Sequence, residues 1–402
     1  MNEKELFADG LDESWTNILA KRNIITPTKI QKLVIPRLIQ KESIVFCSAT
    51  GTGKTIAYLL PLLQYLKDAV NNGESGLPYC YVRALILSPT IELCVQIKNE
   101  FDFFAKEFLP QTRAALLISG VSIKKQKTAL KQEKPSVIIG STQRIIELAG
   151  ACALKLSGVQ WLVLDEADRL VSTEQLDLTK KLLSMLPVQR INTGCSATFS
   201  TGAKVKLAAL PGIDDPAFIE TDGHEIIRNF ITHWALWTEN RRKISTLRSL
   251  LTALNTKKIL VFTEMAYSAC KICEQLRYHK IKAGSLYSGQ KKNERARVLD
   301  SFKQGGIDIL VSTDLAARGL DIQNLNYVIC VGVNESSEIY IHRAGRTARC
   351  GKKGVCISIG NETELRHLLA IEKKLRIIIY PKILESGRIC SPEEEYNTLN
   401  KS

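Results

Sequence analysis

Short β-branched runs alternate along the chain with stretches whose apolar positions recur every three to four residues. The runs predict strands at Ser43–Cys47, Ala84–Ser88, Ser136–Gly140 and Trp161–Asp165, then at Lys258–Phe262, Asp308–Thr313, Tyr327–Val331 and Gly354–Gly360. The helical periods between them include Thr55–Leu66, Thr90–Phe104, Ile244–Leu254 and Ala266–Tyr278. Strands alternating with helices of this length imply mainly parallel sheets with helices on both faces, an α/β class. Two sets of such units fit two domains better than one large sheet. Breakers cluster between Pro211 and His233, in Pro211-Gly212, Asp214-Asp215-Pro216 and Asp222-Gly223. The layout expected is a first domain over 1–222, a linker over 223–232, a second domain over 233–383 and a short polar tail over 384–402.

One strand-to-helix junction carries recognisable chemistry. Ser48-Ala49-Thr50-Gly51-Thr52-Gly53-Lys54-Thr55 follows the first strand and opens a helix, which is the context of a phosphate-binding loop. Gly51 and Gly53 let backbone N–H groups turn toward phosphate oxygens, and the helix adds positive charge at its N-terminus. Lys54 is placed to reach the β- and γ-phosphates, and the Thr55 hydroxyl to coordinate Mg²⁺. Trp161–Leu164 is an apolar strand running into Asp165-Glu166. Asp165 would hold the metal through water, and Glu166 would orient or deprotonate the attacking water.

Asp165-Glu166-Ala167-Asp168 spells D-E-A-D, and with it the chain resembles the DEAD-box family of ATP-dependent RNA helicases. Further motifs follow in family order. Ser196-Ala197-Thr198 matches S-A-T, Ser312–Asp321 matches S-T-D-L-A-A-R-G-L-D, and His342–Arg349 matches H-R-A-G-R-T-A-R. The resemblance covers roughly Phe7 to Pro381 and implies two RecA-like domains with ATP and Mg²⁺ between them and RNA across both. It implies ATP contacts from Phe7, Gln31, the loop Ser48–Thr55 and Asp321. It implies coupling of hydrolysis to strand separation through Asp168, Ser196, Thr198 and His342. The RNA contacts implied are Thr90, Gly120, Arg144, Arg295 and Thr313, all directed at the backbone, with the basic run Lys124–Lys131 near that path or simply solvated. Arg346 and Arg349, three apart, can share one face and act as arginine fingers, so hydrolysis should require domain closure.

Several positions depart from the family pattern. Ile24, preceded by Asn23, stands where an aromatic after glycine is expected, while Gln31 keeps the adenine-reading position. Ile91 replaces an arginine, Ser141-Thr142-Gln143-Arg144 lacks the proline and glycine of T-P-G-R, and Ser119-Gly120 retains one of two glycines. Lys292 replaces a glutamine, and Gly332 stands where an aspartate is common. The changes gather on RNA-facing motifs, which predicts an intact ATPase with an altered RNA grip.

Composition sharpens this reading only in places. The 402 residues carry 55 Lys+Arg against 41 Asp+Glu, a net charge of +14, compatible with a polyanionic partner but also with ordinary basic solubility. Hydrophobic residues at 45% exclude wholesale disorder. The polar Met1–Gly10 does not read as a signal peptide, and no apolar run approaches the roughly 20 residues of a membrane span. Eleven scattered cysteines suggest reduced thiols, and the lone Cys270/Cys273 pair reads as a helix face, not a zinc site.

The function expected is an RNA-dependent ATPase that unwinds short duplexes or remodels ribonucleoprotein, in RNA processing or ribosome biogenesis. The alternative is an ATP-gated RNA clamp or assembly scaffold; a DNA helicase fits the D-E-A-D tetrad less well. A monomer is expected, with RNA, protein activators or ribonucleoprotein particles as partners and no membrane. By family analogy the location is the nucleus or nucleolus, with the cytoplasm as alternative.

Overall fold

The computed structural model describes residues 10–49, 51–71, 82–221, 225–317, 325–348 and 352–392. The chain divides into two compact units, residues 1–223 and 224–402.

Among the described residues of the first unit seven strands form one sheet: β1 Ile44–Cys47, β2 Ala84–Leu87, β3 Ala114–Leu117, β4 Val137–Gly140, β5 Trp161–Asp165, β6 Ile191–Ser196 and β7 Ala217–Glu220. Their order is β3-β4-β2-β5-β6-β1-β7, with every pairing parallel. β1 to β5 are almost wholly apolar because both faces are covered, whereas the edge strand β7 buries only Ile219. Ile44 and Phe46 point into a core shared with the helices Ser14–Ala20, Lys29–Ile39, Lys54–Asn71 and Ile91–Phe108. Val45, Leu85 and Leu162 point the other way, against the helices Thr142–Gly150, Leu176–Leu183 and Thr201–Ala208. The strands Ala114–Leu117, Ile191–Ser196 and Ala217–Glu220 are additions to the set predicted from pattern. Their small and polar residues (Ala114-Ala115, Asn192-Thr193-Gly194, Glu220) dilute the β-branched signal.

Among the described residues the second unit holds eight strands: β8 Ile231–Trp237, β9 Ile259–Thr263, β10 Ala283–Leu286, β11 Ile309–Thr313, β12 Tyr327–Val331, β13 Gly354–Gly360, β14 Ile379–Glu385 and β15 Arg388–Cys390. The order is β10-β11-β9-β12-β13-β8-β14-β15, parallel except for the final hairpin. One face packs on the helices Ser337–Ala344 and Glu362–Leu375, the other on Lys243–Leu254 and Ala266–Tyr278.

Two stretches expected to be connector or tail are structured. The linker expected at 223–232 contains the helix Glu225–Asn229 and the start of β8. Arg228 Nε there donates to the Leu375 carbonyl at 2.9 Å, and Ile227 is buried. The segment expected as a polar tail from 384 continues β14 and turns back as β15, where Leu384 and Ile389 pack against the core. Partly buried Ile383, Leu384, Ile389 and Cys390 beside exposed Glu385 and Arg388 make it a half-buried edge hairpin rather than a solvated tail.

Candidate nucleotide site and RNA-facing positions

The phosphate-binding loop leaves the carboxyl end of β1, and β5 and β6 end on the same side of the sheet, where α/β sheets bind ligands. Gly51 and Gly53 both hold φ near +80°, a conformation that L side chains rarely adopt. Ser48, where glycine is usual, is buried and useful: its Oγ donates to Thr52 Oγ1 at 2.9 Å, which donates to the Ala49 carbonyl at 2.8 Å. Lys54 Nζ donates to the carbonyls of Ser48 and Ala49 at 2.7 and 2.9 Å. Burial lowers the Lys54 pKa, and the field of Cys195, Asp165, Cys47 and Glu166 opposes that shift.

Gln31 is built into the same loop. Thr28 caps the helix Lys29–Ile39 by accepting from the Gln31 N–H, and Gln31 Oε1 accepts from the Thr28 N–H at 2.9 Å, a reciprocal capping box. Gln31 Nε2 donates to the Gly53 carbonyl at 3.1 Å, while Thr28 Oγ1 donates to the Thr52 carbonyl at 2.8 Å. The residue expected to read adenine is thus buried and also braces the loop. Asn23 holds φ of +57°, so it supplies the left-handed turn that glycine would. Ile24 packs against the core.

Asp165 ends β5, buried, with Glu166 beside it at φ +50°. The Asp165 carboxylate accepts from Tyr58 Oη at 3.0 Å, Cys195 Sγ at 3.2 Å and the Glu166 N–H at 2.9 Å. Asp168, on the short helix that follows, accepts from Ser196 Oγ at 2.5 Å. Burial raises the Asp168 pKa and the Ser196 bond opposes it. Ser196 Oγ also accepts from the Thr198 N–H at 3.3 Å, so the D-E-A-D and S-A-T segments are directly joined.

The first-unit positions expected to contact RNA lie at or just before helix starts. Thr90 caps Ile91–Phe108, and Ile91, in place of arginine, packs against the core. Gly120 is exposed at φ +83°, just before the helix Ile123–Glu133. Arg144 is turned inward: Nη1 donates to the Val121 carbonyl at 3.1 Å and Nε lies 3.2 Å from Glu147.

In the second unit Thr313 ends β11 with its hydroxyl buried and unpartnered among the described residues. Arg295 Nη2 donates to the Ala316 carbonyl at 2.7 Å. Gly332 holds φ of +94°, which accounts for glycine where an aspartate is common. Its carbonyl accepts from Arg343 Nη1 at 3.1 Å. Arg343 is paired bidentately with Asp314 at 2.6 and 2.7 Å; burial works against its charge, but Asp314 leaves its pKa raised.

The helix Ser337–Ala344, which carries a partly buried His342, is capped at Gly345, and Arg346 lies in the turn beyond it. Arg346 is buried and already engaged in contacts. Phe7, Thr50, Asp321 and Arg349 lie outside the described residues.

Pattern reading did not single out Tyr58, Cys195 or the Arg343–Asp314 pair. Tyr58 had a signal, its spacing of one turn from Thr55; Cys195 had only its place before S-A-T. Among the described residues no group of three or more His, Cys, Asp or Glu could hold a metal, and Cys273 faces the core. No helix among them is long and apolar enough to cross a membrane.

Residues 28–205 match the DEAD/DEAH box helicase family and residues 242–351 the helicase conserved C-terminal domain. The DEAD-box ATP-dependent RNA helicase CshC of Bacillus cereus is 33% identical over 360 residues, 90% of this chain and 88% of that protein. The ATP-dependent rRNA helicase rrp-3 of Neurospora crassa is 32% identical over 398 residues, 98% of this chain and 74% of that protein. Among solved structures, S. cerevisiae Dbp5 bound to RNA and ADP BeF3 superposes with a TM-score of 0.81 at 23% identity, covering 98% of this chain and 96% of that one. Mss116p bound to ssRNA and AMP-PNP gives 0.81 at 22% identity, covering 97% and 79%. Two RecA-like sheets, their motifs in order at the carboxyl ends of the strands, and homology along nearly the whole length place this chain in the DEAD-box family of ATP-dependent RNA helicases.

Proposed function

We propose that the chain is an RNA-stimulated ATPase that separates short RNA duplexes or remodels ribonucleoprotein. The observation that carries this reading is the join between Asp168 and Ser196, which links the carboxylate pair Asp165-Glu166 to the S-A-T segment. Mg²⁺ keeps several waters and usually takes one or two protein groups plus substrate phosphates. Thr55 and the buried Asp165 fit that role, and the lack of a larger acidic cluster among the described residues suits it. Bound with ATP, the ion would neutralise charge developing on the phosphates. Lys54 would bind the β- and γ-phosphates, Gln31 the adenine edge, and Glu166 would orient the attacking water. Arg346 and Arg349 would complete the site on closure, with Phe7 and Asp321 adding nucleotide contacts. RNA would be gripped through backbone phosphates at Thr90, Gly120, Arg144, Arg295 and Thr313, with Thr198 and His342 in the coupling.

The internal ties of Arg144 favour a second reading, an ATP-gated clamp with little productive unwinding. The two separate in one experiment. Glu166→Gln, loaded with ATP and a short RNA duplex, is compared with the parent chain. If hydrolysis only recycles the enzyme, the variant releases one strand once and stays bound. A variant that binds ATP and RNA but separates no strand supports the clamp. Absence of RNA-stimulated hydrolysis by the parent chain overturns both.

The likeness to an rRNA helicase supports ribosomal RNA as substrate and a nuclear or nucleolar site, whereas the bacterial relatives support a cytoplasmic one. Sequencing RNA crosslinked to the protein in cells decides the substrate class. A single-species sedimentation profile tests the expected monomer.

A further inference from the structure

Tyr58 lies one turn beyond Thr55 on the helix Lys54–Asn71, so their side chains share a face. Its ring is fully buried, and a buried phenol requires hydrogen-bond partners. Its O–H donates to Asp165 Oδ2 at 3.0 Å.

The remaining donors fall on the other carboxylate oxygen. Cys195 stands opposite Asp165 in the β5–β6 register, and its Sγ–H reaches Asp165 Oδ1 at 3.2 Å. The Glu166 N–H reaches the same oxygen at 2.9 Å. An ionised carboxylate oxygen offers about two acceptor sites. Oδ1 is therefore filled, and Oδ2 keeps one site open after Tyr58.

We infer that Tyr58 is a positioning residue for the nucleotide-bound metal. Its phenol O–H fixes the open site on Asp165 Oδ2, one helical turn from Thr55, and Cys195 is a second brace on the same carboxylate. Tyr58 itself touches neither metal nor nucleotide. The inference rests on Thr55 and Asp165 being the metal-facing groups.

The test measures the Mg²⁺ concentration that half-saturates tight binding of a fluorescent ADP analogue, beside binding of the same analogue in EDTA. Tyr58→Phe keeps the ring and removes the phenol donor to Asp165. Removing such outer partners typically costs about 10–100-fold in metal affinity. Tyr58→Phe is expected to raise the half-saturating Mg²⁺ at least about tenfold, with binding in EDTA unchanged. Thr55→Ala is the control on the underlying assignment. If Thr55→Ala raises the Mg²⁺ requirement and Tyr58→Phe does not, the positioning role is overturned alone. If neither does, the metal assignment falls as well. Equal weakening with and without Mg²⁺ in Tyr58→Phe would mean a packing role only and also overturns it. Cys195 gives an independent arm: Cys195→Ala should raise the requirement and Cys195→Ser, which restores a donor, should return it. Identical behaviour of the two would overturn the brace.

Discussion

Gln31 and Gly53 hold each other in place: Gln31 Nε2 donates to the Gly53 carbonyl at 3.1 Å, and a Cβ on Gly53 would lie 2.3 Å from that nitrogen. Gly53→Ala therefore meets two obstacles, the clash and φ of +80°. It should weaken ATP binding more than tenfold, about 1.4 kcal/mol or more, while the far-ultraviolet spectrum stays native. Gln31→Ala should loosen the same loop and also erode discrimination of ATP from GTP. Competition titrations with both nucleotides measure the two effects separately.

Arg343 belongs to the arginine motif by position but is tied down inside its own unit. Its bidentate partner Asp314 can be removed without touching the motif. Stripping one member from a buried ion pair costs about 3–5 kcal/mol. Asp314→Ala should lower the unfolding free energy of the second unit by that amount, read as a lowered urea midpoint at unchanged slope. At a temperature where it remains folded, its ATP turnover should fall less than in Arg346→Ala.

His233 makes the second unit sensitive to acid. Nε2–H donates to the Ile227 carbonyl at 2.9 Å, which leaves Nδ1 to accept from Tyr340 Oη at 2.7 Å, so the ring is neutral. Burial lowers its pKa from 6.5 to about 4. Between those values the unfolded chain binds more protons than the folded one, so stability is full above pH 6.5 and falls as pH drops toward 4. The loss is about 3 kcal/mol. Urea midpoints of the intact chain, followed by amide exchange over residues 325–345, should show it; His233→Asn should flatten the dependence.

On the helix Ile123–Glu133, Lys124, Lys127 and Lys131 share one side while Gln126 and Leu130 are buried on another. The row begins beside Val121, whose carbonyl Arg144 holds. If these lysines meet RNA phosphates, replacing all three by alanine should reduce the slope of log K against log salt by about 2, at ~0.7 per single-strand contact. ATP binding without RNA should not change. Filter binding across a salt series decides it.

The sheet-and-helix alternation and the strand ends bearing Asp165 and Thr313 were legible because buried parallel strands leave unbroken apolar runs. Local backbone demands were legible too, once the geometry is known: Asn23 and Gly332 depart from family pattern, yet each satisfies a positive φ. What sequence could not reveal was what partners a polar side chain finds across the fold. Arg144 meets Val121 and Glu147, Tyr58 meets a residue 107 positions away, and Gln31 turns to Gly53. Edge elements were equally hidden, since no residue of β14 or β15 is more than partly buried and the stretch reads as polar chain.

That terminal hairpin has a consequence for how the protein is made. β8, the first strand of the second unit, lies between β13 and β14, and Pro381 and Lys382 stand beside Ala235 and Leu236. A ribosome emits β8 some 140 residues before the partner on its outer side, since β14 begins at Ile379 and β8 ends at Trp237. Until then β8 carries an open edge bearing Trp234 and Leu236, a template for pairing with another nascent chain. A stop codon ahead of Ile379 would make that interval permanent.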